Sequence, residues 1–324
     1  MPSCPQSLTF TLNGKSVATE GESAGTSLLE FLRARGFTGA KRGCDEGDCG
    51  ACTVAIVDRD AAGRTTYRAI NSCITLLPMV AGRELVTVEG LAAGPGLQGL
   101  HPVQAALVEH QGSQCGYCTP GFVVSLFEGY HRDGCRTPAD VNDQLCGNLC
   151  RCTGYRSIRD AALAALASRG ESPPAGPLAA RLLEPAGDPP PLEYRTEEGA
   201  FLRPASLGEL LALLETVPGA RVVAGATEIG VEINKKARRF PCLVSTESVP
   251  ELTRLAATPG GGWRIGASVP LTVIEERVAP GCPPLARMLR WFAARQVRNR
   301  ATLGGNLATA SPIGDSAPVL LALD

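Results

Sequence analysis

The chain of 324 residues carries almost no net charge, since 31 basic residues against 32 acidic ones leave −1. No global field draws it to DNA, RNA or anionic lipid, so neither nucleic-acid nor membrane binding is expected. It has no apolar run near the roughly 18 residues of a membrane span, and residues 1–10 lack the basic and apolar stretches of a secretory leader. A cytoplasmic location is the expectation. Histidine is scarce, at three residues. No internal repeat of about 20 to 50 residues is present, and neither Gly-x-Gly-x-x-Gly nor a Walker sequence occurs, so a Rossmann NAD site is not supported.

Apolar residues are plentiful, at 44% against 19% charged, which suits ordinary buried cores. The length allows two or three domains at about 100 to 200 residues each. Glycine (37) and proline (25) are frequent enough to predict many tight turns. Cysteine is the specific feature. The count is 13, too few for a small disulfide scaffold and odd in number. Eight of them form two groups, Cys44, Cys49, Cys52 with Cys73, and Cys115, Cys118 with Cys150, Cys152. Cys4, Cys135, Cys146, Cys242 and Cys282 are scattered.

Residues 8–12 alternate at the strand period, and Asn13-Gly14 before residues 15–18 predicts a hairpin with a type I′ turn. Ser27 and Glu30 have capping-box spacing, Leu28, Phe31 and Leu32 form an apolar face, and Gly36 closes the helix. Residues 53–57 and 84–88 read as further strands. The first 92 residues are thus a small α+β domain whose 41–52 loop holds three thiols. From His101 the pattern turns helical, with starts at Pro102, at Thr119-Pro120, at Thr137-Pro138 with Asp140, and at Ser157 with Asp160. Four short helices over 93–170 would offer one thiol pair from each of two connecting loops. The stretch 171–191 contains seven prolines, which favour an extended chain and oppose packing, so it reads as a linker. Mixed structure resumes over 192–324. Ser206 and Glu209 cap a helix bearing Leu210, Leu211 and Leu214, and 221–224 reads as a buried strand.

Cys44, Cys49 and Cys52 are separated by four and two residues, and Cys73 comes after a further 20 intervening residues, the spacing of plant-type 2Fe–2S ferredoxins. Glycines at 43, 47 and 50 let the backbone wrap a compact cluster and turn N–H groups toward its sulfurs. Structural zinc is the rival, but zinc modules favour paired thiols and histidine. Cys150 and Cys152, one residue apart, would make a strained disulfide, which favours a metal. A redox dithiol at Cys115 and Cys118 would leave Cys150 and Cys152 unexplained.

Gly112-Ser113-Gln114-Cys115-Gly116-Tyr117-Cys118-Thr119-Pro120-Gly121 and Gly147-Asn148-Leu149-Cys150-Arg151-Cys152-Thr153-Gly154-Tyr155 resemble the signature of the molybdenum hydroxylases, the xanthine dehydrogenase and aldehyde oxidase family. The resemblance implies a multidomain α+β chain: a β-grasp plant-type ferredoxin domain (1–92), a four-helix 2Fe–2S domain (93–170), a linker (171–191) and the N-terminal part of an α+β FAD-binding domain (192–324). It implies that Cys44, Cys49, Cys52 and Cys73 hold one 2Fe–2S cluster, and Cys115, Cys118, Cys150 and Cys152 the other. Gln114 would touch molybdopterin carried by a partner chain.

The 221–230 stretch is a strand entering a small-residue loop whose N–H groups suit a pyrophosphate. It resembles the family's FAD loop, and residues 291–298 and 301–315 resemble its second FAD segment. Carried over, Val222, Val223, Ala224, Gly225, Ala226, Thr227, Glu228 and Ile229 would hold the pyrophosphate, Phe292 would lie by the flavin, and Thr302, Gly305, Asn306, Thr309 and Asp315 would complete the site. Ala226 stands where animal relatives carry Asn. The apolar run 318–323 reads as core, so the flavin module is expected to be truncated at Asp324.

The implied role is the electron-transfer subunit of a xanthine dehydrogenase-type oxidoreductase. Electrons would pass from a large molybdenum subunit through the helical-domain cluster, the ferredoxin-domain cluster and FAD to NAD, within a dimer of heterodimers. No catalytic residue is assigned here, because substrate hydroxylation would occur on the partner. The rivals are the same role with an aldehyde or N-heterocycle as substrate, and a stand-alone ferredoxin-like carrier.

Overall fold

A computed structural model describes residues 7–170 and 176–323. Strands β1 (Ser7–Leu12) and β2 (Lys15–Glu20) form the hairpin, with Asn13 and Gly14 at φ 51° and 74°. Helix α1 (Leu28–Ala34) follows, capped by the Ser27 side chain accepting from the Glu30 N–H. Strands β3 (Thr53–Arg59), β4 (Thr65–Asn71) and β5 (Glu84–Val86) complete a mixed sheet in the order β2-β1-β5-β3-β4. One face packs Leu8, Phe10 and Leu12 against Leu28, Phe31 and Leu32 of α1. The other packs Ala55, Val57, Tyr67 and Val86 against the helical module. Covering on both faces explains the unbroken apolar run of β3.

The four expected helices are α2 (Pro102–Glu109), α3 (Thr119–His131), α4 (Pro138–Leu145) and α5 (Arg156–Ala167). Thr137 and Asp140 form a reciprocal capping box on α4. The cap expected at Ser157 is corrected. The residue before α5 is Tyr155, at φ 66° and without a side-chain cap, because the thiol loop enters the helix through a left-handed turn.

The proline-rich stretch also departs from expectation. Residues 171–175 lie outside the described residues, but 176–191 forms a packed strap that includes α6 (Pro177–Arg181). Proline removes a donor yet leaves its carbonyl, and the strap's carbonyls are taken by side chains. Tyr67 Oη donates to Leu178 O at 2.8 Å, Arg59 Nη2 to Ala186 O at 2.7 Å and buried Arg203 Nε to Pro190 O at 2.7 Å.

Beyond the strap, β6 (Leu192–Thr196), β7 (Gly199–Arg203), α7 (Leu207–Thr216), β8 (Ala220–Val223), α8 (Ile229–Lys236) and β9 (Cys242–Ser245) build a four-stranded sheet ordered β6-β7-β9-β8. Strand β8 is at its edge, so Arg221 and Val222 are exposed and only Val223 is buried; the buried-strand reading of 221–224 fails there. On α7 only Leu210 is buried, while Leu211 and Leu214 face outward. Then come α9 (Pro250–Thr253), the hairpin β10 (Leu255–Ala257) and β11 (Trp263–Ile265), α10 (Leu271–Arg277), α11 (Pro283–Trp291), α12 (Arg295–Arg298), α13 (Leu303–Thr309) and α14 (Ser316–Leu323). The core reading of 318–323 is corrected as well. Val319 and Leu320 pack against a small core, but Leu321 is 82% exposed, because α14 offers only one side to α11 and α13. Among the described residues no helix is long and apolar enough to cross a membrane.

Candidate metal centres and flavin loop

The first thiol loop leaves α1 and returns into β3. Its backbone turns inward on sulfur: the Cys44 N–H points at Cys49 Sγ (3.4 Å), and the Glu46 and Cys49 N–H groups point at Cys44 Sγ (3.5 and 3.3 Å). A Cβ on Gly43 would sit 2.6 Å from Cys49 Sγ, so glycine is required by that approach. Cys52 and Cys73 are both buried and lie against each other. That contact makes Cys52 the more acidic thiol despite burial, with Asn71 and Ser72 assisting, while Cys73 is pushed far up as its proton holder. Cys44 also acts on Cys73 electrostatically, so the four thiols of this set are neighbours.

The second set pairs across its loops. Cys118 lies beside Cys150, and Cys115 beside Cys152, so each contact takes one thiol from the α2–α3 loop and one from the α4–α5 loop. Burial and Cys150 push the Cys118 thiol up to about 12. Cys150 is lowered although burial opposes it, because the Thr153 hydroxyl (3.1 Å) and N–H (3.4 Å) face its sulfur. Cys115 and Cys152 are exposed, as is Gln114.

Among the described residues no three His, Cys, Asp or Glu side chains converge as ligands of a single ion. A structural zinc needs four donors about one point. Thiols arranged two and two, with backbone N–H groups on sulfur, fit a dinuclear 2Fe–2S centre, in which four thiolates are shared between two irons.

The two thiol loops touch. The Leu149 N–H donates to Cys49 O at 3.0 Å, which connects a first-set cysteine to the residue preceding Cys150. Tyr117 Oη donates to Arg42 O. The flavin-related segments abut the first set. A Cβ on Gly230 would lie 2.5 Å from Ile74 O, and Asn234 Nδ2 donates to Cys73 O (2.8 Å) and Asp45 O (3.0 Å).

Within the flavin loop, Gly225 lies so close to Arg300 that a Cβ would meet its carbonyl oxygen at 1.8 Å, joining the two FAD-like segments. Ala226 is buried at φ 63°, a left-handed conformation that asparagine adopts more readily than alanine. Val223, Ala226 and Ile229 pack into the ferredoxin-module core. Ala224, Thr227 and Glu228 are half-buried, and Val222 is exposed. Thr302 is buried and caps α13 by accepting from the Gly305 N–H at 3.0 Å. Asn306 Oδ1 accepts from Ser316, and Thr309 Oγ1 donates to Gly305 O at 2.8 Å. Asp315 is exposed, whereas Phe292 is half-buried against a core that includes Leu289 and Leu303. Of residues 222–229 only Val222 is exposed, the Thr302 hydroxyl is already taken by the Gly305 N–H, and Phe292 packs against the Leu289 core.

A buried polar junction escaped the sequence reading. Glu128 of α3 accepts from Arg295 Nε (2.9 Å), Asn299 Nδ2, Gln144 Nε2 and the Ala69 N–H. Arg295 also meets Glu276 (3.2 Å), which holds Arg68 of β4 at 2.5 Å. Burial would raise the Glu128 carboxyl, but Arg295 and Arg68 outweigh it and hold it below the usual range. Nothing in the local pattern around Glu128 or Arg295 marks them, because their partners lie in other modules.

Fold and loops together define a two-cluster iron–sulfur flavoprotein. Family comparison agrees in content and order: residues 10–77 match the 2Fe-2S iron-sulfur cluster binding domain, residues 87–163 the [2Fe-2S] binding domain, and residues 194–324 the FAD binding domain in molybdopterin dehydrogenase. Xanthine dehydrogenase 2 of Arabidopsis thaliana is 34% identical over 91% of this chain, and xanthine dehydrogenase/oxidase of Mus musculus 33% identical over 97%. The chain spans 27% of the length of either relative. Quinoline 2-oxidoreductase from Pseudomonas putida 86 is 35% identical over 52% of this chain and 98% of that one, with a TM-score of 0.43. The chain belongs to the xanthine dehydrogenase and aldehyde oxidase family of molybdenum hydroxylases, as an iron–sulfur and FAD module.

Proposed function

We propose that this chain is the electron relay of a xanthine dehydrogenase, taking electrons from a molybdenum-bearing large subunit and passing them to NAD. Cys115, Cys118, Cys150 and Cys152 would hold the cluster facing the partner, Cys44, Cys49, Cys52 and Cys73 the inner cluster, and residues 222–229 with 302–315 the FAD. When bound, these groups supply the one-electron and two-electron chemistry, and the protein sets their spacing and environment. The observation that carries the reading is the order of the loops: the second thiol set opens to the surface, touches the first through Leu149 and Cys49, and the first abuts the flavin segments.

The outward face suits a partner. Tyr117, Leu149 and Tyr155 are 45–54% exposed around Cys115 and Cys152, and a cleft of about 520 Å³ lined by Phe122, Leu149, Tyr155 and Arg159 opens beside them. Exposed apolar groups clustered in this way mark association surfaces. Gln114, on the same face, is free to reach a pterin on that partner. The reading includes a cytoplasmic location and a dimer of heterodimers.

The test is a visible and low-temperature EPR spectrum of the purified chain, then reduction. Two distinguishable 2Fe–2S signals are expected, bleached by dithionite but by xanthine only after the molybdenum subunit is added. Reduction by an aldehyde or N-heterocycle but not xanthine with that subunit present would transfer the role to the other substrate class. A colourless protein after anaerobic reconstitution with iron and sulfide would refute it.

A further inference from the structure

The flavin-related segment contributes a side chain to the seam between the two thiol loops. Gln296, on α12, is 1% exposed. Its Nε2 donates to Asn148 Oδ1 at 2.8 Å and to Ser125 Oγ at 2.9 Å. Asn148 Nδ2 donates in turn to Gly50 O at 3.2 Å. Gly50 follows Cys49, and Asn148 precedes the Leu149 N–H that reaches Cys49 O. One unbroken chain of hydrogen bonds therefore runs from the third module into the contact between the first two. The seam has no slack. A Cβ on Gly50 would lie 2.2 Å from Gly147 O, one on Gly121 2.1 Å from Gly50 O, and one on Gly147 2.5 Å from Ala294 Cβ.

We propose that Gln296 is a positioning residue for electron transfer between the two clusters: through Asn148 it holds the Cys49–Leu149 contact closed, so that docking of the flavin segment sets how well the clusters communicate. This rests on the relay reading above. The step breaks and forms no bond. One cluster is oxidised by one electron and the other reduced by it, and the coupling depends on the gap and the path that Gln296 secures. Gln296 itself touches neither thiol set, and a tightly packed amide network of this kind acts as a unit.

The experiment uses the full chain loaded with iron and sulfide. Gln296→Met keeps the length and removes the donor, Asn148→Asp keeps the acceptor for Gln296 and removes the donor to Gly50, and Ser125→Ala removes only the other partner of Gln296. In the fully reduced unaltered protein the two centres should show magnetic splitting at low temperature. Gln296→Met and Asn148→Asp should diminish that splitting with iron and sulfide content unchanged, while Ser125→Ala should leave it intact. If Gln296→Met fails to load, Asn148→Asp alone decides. Unchanged splitting in the loaded variants, no splitting in the unaltered chain, or the same loss in Ser125→Ala would overturn the proposal. Absence of the clusters from the unaltered chain would instead overturn the relay reading, and is seen before any variant is made.

Discussion

The two thiol sets solve the same coordination problem in opposite surroundings. The first is built into a sheet domain, with Cys52 and Cys73 each 2% exposed and N–H groups of its own loop on sulfur. The second is strung between two helix pairs, with Cys115 and Cys152 at the surface and its contacts made across loops. With Cys52 and Cys73 buried and Cys44 and Cys49 half-buried, the first set is shielded and close to the flavin segments, whereas the exposed Cys115 and Cys152 are accessible to another protein. The contrast lies in where the supporting elements place the thiols, since both sets draw on the same ligand.

The largest expected effect separates the sets directly. Cys52→Ser should abolish one EPR signal and Cys152→Ser the other. In the metal-free proteins Cys52→Ser should also cost about 1–3 kcal/mol, because it places a hydroxyl in a buried site, whereas exposed Cys152→Ser should cost little. Urea unfolding measures both, and equal costs would break the comparison. Next is the junction behind the open set. Arg295→Ala leaves the Glu128 carboxylate buried without its main counter-charge, and should destabilise by about 3–5 kcal/mol in the same assay. A smaller loss is expected where the sets meet. Gly50→Ala places a Cβ against Gly147 O at φ 65°, which should cost about 1–3 kcal/mol and shift the EPR signals of both clusters, not one.

The smallest effect at neutral pH is an acid sensitivity confined to the helical side. Burial pulls His101 down to about 4, and burial with His101 and Arg169 pulls His131 down to about 3. Tyr67, Phe127 and Tyr130 surround them. Unfolded imidazoles take up protons near pH 6.5 that the folded ones refuse, so the unfolded state binds more protons below that pH. Stability should be intact above about pH 6.5 and fall as pH drops toward 4 and then 3. His131→Phe should flatten the dependence of Tm on pH between 7 and 5. An unaltered slope would remove the histidines from the account.

Much of this was legible in the chain. The hairpin at Asn13-Gly14, the caps at Ser27 and Thr137 and the cysteine spacings are local, because turn geometry, capping and ligand spacing are set within a few residues. Strand β4 was missed, since its Arg68 and Asn71 disguise a strand whose polar groups find partners outside it, Glu276 in the flavin-related module and Cys52 in the first thiol loop. The 176–191 stretch read as an unpacked linker because its carbonyls are claimed by Arg59, Tyr67 and Arg203, all distant in sequence.

The sequence by itself determined which cysteines belong to which loop, which follows from short-range spacing, while the flavin module that completes the order of three was implied by resemblance to the molybdenum hydroxylases. Only the tertiary structure decided that Cys115 meets Cys152 and Cys118 meets Cys150, that Cys52 and Cys73 are buried while Cys115 and Cys152 are exposed, and that Gln296 enters the seam between the loops. Those outcomes depend on how helices and sheets close over one another, and burial and pairing between residues of different loops and modules are properties of packing, which no local pattern encodes.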